Sequence, residues 1–318
     1  MFVVMFPGQG SQHQGMMREL YEKYAGARII FNAVKEATDI DVAELCFNGK
    51  EEDLRQTQNT QIALYTANLA TWQVLELHLS MQNLRPGAMA GHSVGEYAAL
   101  VASGVLSIHD GAKLVLKRGR FMADCAQLRP GSMAAVIHME LSALEKLCTD
   151  LSLQETVVIA NYNCKGQYVV SGDKKAIQSV QDMAPKLGAK KVVLLNVSGA
   201  FHSPLMKPAA DGMKEATTDV TYFEPKNGCV VYSNVTAEPV KNYHSWAELL
   251  IQQIKSPVYW MQSVENMIRD GSKIFIECGP GDILSNLMKR IDPEAISLRV
   301  NDQRTLEQTL QKLQELAV

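Results

Sequence analysis

Short, wholly apolar runs alternate along this chain with longer stretches in which apolar residues recur every three or four positions. The first run, residues 2–6, reads as a buried strand that stops at Pro7 and a glycine-rich turn, Gly8-Gln9-Gly10. A helix is expected near residues 16–24 and a long one over residues 61–79. Residues 87–91 read as a short strand, followed by helices over 94–103 and 108–127. This alternation predicts an α/β unit with a mostly parallel sheet.

Around Arg129-Pro130-Gly131 the texture changes. Strands are expected over 132–139, 156–160, 167–171 and 190–197, with helices over 142–151 and 173–187. The order β-α-β-β-α-β is that of a ferredoxin-like unit, which favours an insert over a simple extension of the main sheet. The expected organisation is therefore a large hydrolase-like α/β domain, residues 1–129 and 198–318, interrupted by a ferredoxin-like subdomain, residues 130–197. Strands over 229–233 and 273–278 return to the main sheet. Leu306, Leu310, Leu313 and Leu316 keep helical spacing, so the last helix lays one apolar stripe on the body.

The strand–turn–helix at residues 87–103 carries Gly91-His92-Ser93-Val94-Gly95, a G-x-S-x-G pattern. A serine on so sharp a turn needs small neighbours on both sides, and its hydroxyl then stands clear of the sheet. The helix that follows offers free N–H groups and a positive dipole end to a developing oxyanion. Ser93 is thus the candidate nucleophile.

A serine nucleophile needs a base near neutral pH, and there are seven histidines. His13, His78, His109, His138 and His244 lie in polar or helical surroundings. His92 adjoins Ser93 but diverges from it on a tight turn, where it braces the elbow. His202 differs: it follows a strand, and Ser203 and Pro204 can cap and open a helix behind it. A helix N-terminus there disfavours the imidazolium and keeps His202 ready to accept a proton. No acid stands out as the third member. A backbone or amide carbonyl would serve, because only an acceptor for the second ring N–H is required.

On the helix over 108–127, Leu114, Arg118, Phe121 and Cys125 share the face opposite the polar stripe of Lys113, Lys117, Arg120 and Asp124. Arg118 therefore lies among apolar residues and needs a partner. An internal carboxylate and a substrate carboxylate satisfy that need equally well.

Composition adds limits. Of 318 residues, 47% are apolar and 20% charged, as in an ordinary globular enzyme, and the net charge of −3 gives no reason to expect nucleic acid. Six cysteines without a C-x-x-C pair read as reduced, buried thiols of a cytoplasmic protein. The N-terminus has no signal-peptide pattern, and no run of about 18 apolar residues suggests a membrane span.

Taken in order, residues 6–12, residues 91–97, Arg118-Gly119, residues 199–202 and Gly279-Pro280-Gly281 resemble the motifs of malonyl-CoA:acyl-carrier-protein transacylases across essentially the whole chain. The stretch 196–203 is most similar to free-standing acyltransferases that serve polyketide synthases in trans. The resemblance implies Ser93 as nucleophile, His202 as base and Gln253 as the residue whose carbonyl orients it. It also implies an oxyanion hole from the backbone N–H groups of Gln9 and Val94, Arg118 as the grip on malonate, and Phe201 as a malonyl-selecting residue. Gly199 departs from some malonyl-specific relatives, which carry histidine there. The implied reaction moves malonyl from malonyl-CoA to the phosphopantetheine thiol of an acyl-carrier protein, in polyketide or fatty-acid synthesis. It needs no metal or other cofactor, no nucleic acid and no membrane, and a monomer is expected.

Three rivals stand beside it. A hydrolase of the same fold would clear acyl groups from carriers, but an alkyl chain has no use for Arg118. An esterase with its acid between serine and histidine could use Asp173, which is better explained as a helix cap. A docking module without catalysis is disfavoured by the joint presence of Ser93, His202 and Arg118.

Overall fold

The computed structural model describes residues 1–316. Strand β1 (Phe2–Phe6) is buried along its whole length. It leads through α1 (Arg18–Lys23), α2 (Ala25–Thr38), α3 (Val42–Phe47) and α4 (Glu51–Arg55) to a long helix, α5 (Thr57–Met81). Next come β2 (Ala88–Gly91), α6 (Gly95–Ala102) and α7 (Ile108–Leu128). The chain then forms β3 (Gly131–Ile137), α8 (Leu141–Leu151), β4 (Val157–Cys164), β5 (Gln167–Asp173), α9 (Lys174–Met183) and β6 (Lys191–Leu194). It closes with α10 (Lys207–Ala216), β7 (Val230–Val231), α11 (Trp246–Lys255), α12 (Trp260–Arg269), β8 (Ile274–Cys278), α13 (Ile283–Ile291), β9 (Ile296–Val300) and α14 (Gln303–Glu315).

Two sheets result. The first is five-stranded and parallel, in the order β7-β2-β1-β8-β9. Helices cover both of its faces, which is why β1 is a continuous apolar run and β8 is buried along its whole length, Glu277 included. α5 is buried on most of its circumference, with Leu64, Tyr65, Leu69 and Leu75 all inside the core. The second sheet is antiparallel, in the order β4-β5-β3-β6, with its own small core around Val136, Leu144, Val170 and Ile177. The second sheet is tied to the rest of the chain where Asn161 of β4 bridges Val258, in the segment between α11 and α12.

Several expected elements are shorter than their apolar runs. β6 stops at Leu194 instead of Val197, because it pairs only with β3 and lies at the sheet edge. β7 keeps two residues of the run 229–233, pairing with β2 through Ala88 and Met89 alone. The helix expected over 173–187 ends at Met183; Pro185 then sits in a 3-10 turn closed by Gly188 in a left-handed conformation. Asp173 does occupy the position before α9, but its side chain does not cap that helix. It accepts the Thr156 N–H at 2.8 Å and so ties β4 to β5.

Candidate active site

Ser93 lies two residues past the end of β2, at the carboxyl end of the parallel sheet. Its φ of 53° is left-handed, a conformation that costs a residue with a Cβ about 1–2 kcal/mol. The turn can be this tight only because its flanks are glycine. A Cβ on Gly91 would lie 1.9 Å from the Gly95 carbonyl carbon, and one on Gly95 would lie 2.2 Å from the Phe6 carbonyl oxygen. Asn234, just past β7, pins the turn: its Oδ1 accepts the Ser93 N–H at 2.7 Å, and its Nδ2 donates to the Gly91 carbonyl at 2.7 Å.

His202 comes from the segment after β6 and is 4% exposed. Its φ is also left-handed, at 57°. Nε2 lies 2.8 Å from Ser93 Oγ, and Nδ1 lies 2.8 Å from the Gln253 carbonyl oxygen. A carbonyl only accepts, so Nδ1 carries the proton and Nε2 presents its lone pair to the serine hydroxyl. Burial and the charge of Arg118 push the imidazole down to about 3. The neutral form expected from the sequence is therefore favoured, but chiefly by desolvation and a guanidinium. Ser203 does accept the Leu205 N–H, yet the turn it opens, Pro204–Met206, is a single 3-10 turn.

Arg118 is 1% exposed. Its Nη1 donates to Gln61 Oε1 at 2.5 Å, and its Nη2 donates to Gln253 Oε1 at 2.9 Å and to Ser93 Oγ at 3.1 Å. The Tyr97 ring lies 5.6 Å from the guanidinium carbon. No carboxylate pairs with it directly: among the described residues Arg118 makes no salt bridge, its Nε–H is buried without a hydrogen-bond partner, and the buried Glu96 carboxylate nearby is joined to it only through the Gln253 amide. A buried, charged group with unspent donors beside the Ser93 hydroxyl is suited to an anionic ligand.

These groups line a cavity of about 80 Å³, walled by Gln9, Val94, Met122, Met133, Phe201 and Asn161, among others. Among the described residues, the N–H groups of Gln9 and Val94 make no backbone hydrogen bond outside the helices and strands. Gly199 has no room for a side chain, since a Cβ there would lie 2.6 Å from the Ala126 Cβ. His92 braces the turn as expected, with Nε2 2.9 Å from Asn163 Oδ1 and its ring against Trp260. Three polar residues escaped the sequence reading: Gln61, Glu96 and Asn234. Glu96 reads as an ordinary acid in a first helical turn, and Gln61 as a polar residue opening a long helix. Asn234 has no local signal. Among the described residues no cluster of three or more histidine, cysteine or acidic side chains is arranged to hold a metal ion.

Residues 2–294 match the acyl transferase domain family. The chain is 40% identical over 313 residues to a malonyl CoA-acyl carrier protein transacylase of Bacillus subtilis, covering 98% of this chain and 96% of that one. The solved malonyl CoA-acyl carrier protein transacylase of Coxiella burnetii superposes with a TM-score of 0.93 at 35% identity, over 98% of this chain and 97% of that one. A malonyl-transacylase solved in complex with its type II polyketide-synthase acyl-carrier protein gives 0.92 at 32% identity, over 98% and 99% of the two chains.

Proposed function

The chain belongs to the acyl transferase family, among its malonyl-CoA–acyl carrier protein transacylases, and on that footing we propose that Ser93 carries malonyl between the two thiols. Ser93 Oγ, relieved of its proton by His202 Nε2, attacks the thioester carbonyl of malonyl-CoA. The N–H groups of Gln9 and Val94 receive the oxyanion. The C–S bond breaks, and His202 returns the proton to the departing coenzyme A thiolate. The carrier's phosphopantetheine thiol then attacks the malonyl-serine ester by the same steps in reverse. Gln253 holds His202 in the required tautomer through its main-chain carbonyl.

One observation carries the choice of substrate: a buried guanidinium in no direct ion pair among the described residues, within hydrogen-bond reach of Ser93 Oγ. Arg118 takes the free carboxylate of malonate there. Phe201 narrows the cavity against a 2-methyl branch; one methylene in such a pocket is worth about 10- to 200-fold. Both fatty-acid and polyketide synthesis use this transfer, and one relative named for the latter is among those found. The relatives are transacylases, which favours transfer over hydrolysis.

The test is intact-protein mass spectrometry after brief mixing with malonyl-CoA or acetyl-CoA, then a chase with holo acyl-carrier protein or water. A malonyl adduct that survives water and moves to the carrier is expected. Preferential acetyl loading, or rapid loss to water alone, overturns the reading.

The lowered His202 also fixes a pH profile. An imidazole of ordinary pKa would lose its base function below about 6.5. With the folded pKa pulled to about 3, the rate of adduct formation should stay flat as pH falls from about 8 to about 5. A rapid-quench titration that halves the rate near pH 6.5 would contradict this. The stability effect has the opposite sense. The unfolded chain protonates this histidine near pH 6.5 and the folded one does not, so His202 costs nothing above that pH and costs stability progressively as pH falls toward 3.

We also read the antiparallel sheet as a ferredoxin-like insert, residues 130–197, in a hydrolase-like domain of residues 1–129 and 198–318. The strand order β4-β5-β3-β6 and the separate core support it. All six cysteines are buried and free, which supports a reducing, cytoplasmic setting.

A further inference from the structure

Glu96 lies at the centre of the site's hydrogen bonds without touching a reacting atom. It stands in the first turn of α6, three residues past the nucleophile, and is fully buried. Its Oε1 accepts the Asn234 N–H at 2.6 Å, and its Oε2 accepts from Gln253 Nε2 at 2.7 Å. Both oxygens thus face donors. Burial pushes the carboxyl up to about 8 against the pull of Asn234, Arg118 and Gln253, but with an N–H donor on each oxygen the geometry offers a carboxyl proton no acceptor and favours the ionised form.

That arrangement leaves the Gln253 amide one orientation. Its NH2 lies between Glu96 Oε2 and the Ser93 carbonyl, 2.9 Å away, and its Oε1 meets Arg118 Nη2. A flipped amide would set oxygen against the carboxylate and the Ser93 carbonyl, and NH2 against a guanidinium. The amide also stands between the acid and the arginine, which do not close into an ion pair. A direct pair would commit the guanidinium to an internal carboxylate and withdraw it from an external one.

We propose that Glu96 is a positioning residue that fixes the Gln253 amide, so that its oxygen meets Arg118 and leaves the guanidinium set for the carboxylate of the acyl group. This rests on the reading of Arg118 as the malonate grip.

Glu96→Gln is close to isosteric and isolates the effect. Glutamine offers one acceptor and one donor where two donors face it. The fixed Asn234 N–H retains the acceptor, so the new NH2 points at Gln253 and turns its amide over onto Arg118. The assay measures loading of Ser93 from malonyl-CoA and acetyl-CoA, with kcat and KM resolved. In E96Q the malonyl-to-acetyl preference should fall about tenfold or more, mainly through KM for malonyl-CoA. Glu96→Asp keeps two acceptor oxygens and should retain more of the preference than E96Q. An E96Q enzyme with the wild-type preference overturns the proposal, as does an equal loss on both substrates, which would mean that Glu96 merely supports the turn. A wild-type enzyme without malonyl preference would instead sink the reading of Arg118 itself. Should E96Q not fold, Gln253→Met carries the same test, because it deletes the amide but keeps the main-chain carbonyl on His202. Its preference should fall likewise, and an unchanged one overturns the proposal.

Discussion

Ser93→Ala is expected to abolish the malonyl adduct and to lower transfer by about 10⁴-fold or more. The size follows from what the hydroxyl does. It donates to His202 Nε2 at 2.8 Å and accepts from Arg118 Nη2 at 3.1 Å, so proton removal and charge stabilisation converge on one oxygen. No other hydroxyl or thiol is within hydrogen-bond reach of His202 Nε2 among the described residues. The fold should hold, because alanine keeps the Cβ and leaves the Asn234 clamp on the backbone N–H intact. Circular dichroism with mass spectrometry on the same preparation checks both halves. A folded S93A protein that still forms the adduct would remove Ser93 from the mechanism.

The second large effect is on Arg118. Arg118→Ala should lower malonyl loading by about 10²- to 10³-fold, while acetyl loading falls far less or rises. Losing one partner of a buried, hydrogen-bonded charge pair costs about 2–5 kcal/mol, and 1.4 kcal/mol is a factor of ten. The comparison between acyl groups decides the cause. Arg118 touches Ser93 Oγ as well as the space beside it, so an equal fall on both substrates would mean that it serves the nucleophile rather than the carboxylate. The variant also strands Gln61 Oε1 and Gln253 Oε1, so its melting temperature should fall too.

The parts of this site that sequence patterns carry are those with local causes. Ser93 is legible because its turn demands Gly91 and Gly95, and both sit within two residues of it. The burial of Arg118 is legible because a helical face is periodic. Its partners are not, since Gln61 and Gln253 reach it from helices 57 and 135 residues away. Its direct partners are two amides and the Ser93 hydroxyl, with the internal carboxylate, Glu96, one hydrogen bond further away behind Gln253. Glu96 is hidden for a different reason: an acid in a first helical turn has a sufficient local explanation, so nothing in the pattern asks for another. His202 was found through its setting, although desolvation, which no sequence pattern displays, dominates its lowered pKa. Strand lengths were overestimated at β6 and β7, because apolar runs continue past the last residue that finds a pairing partner.

Ser93 Oγ meets His202 Nε2 across 109 residues of chain, and the Gln253 amide meets the Ser93 carbonyl across 160. Closing loops of that length costs entropy before any contact rewards it, so these pairings belong to the slow, late part of folding. During synthesis the nucleophile emerges well before His202 and Gln253. On the proposed roles, a nascent chain therefore holds a serine that has no base beside it. Reactivity arrives only with the last third of the polypeptide.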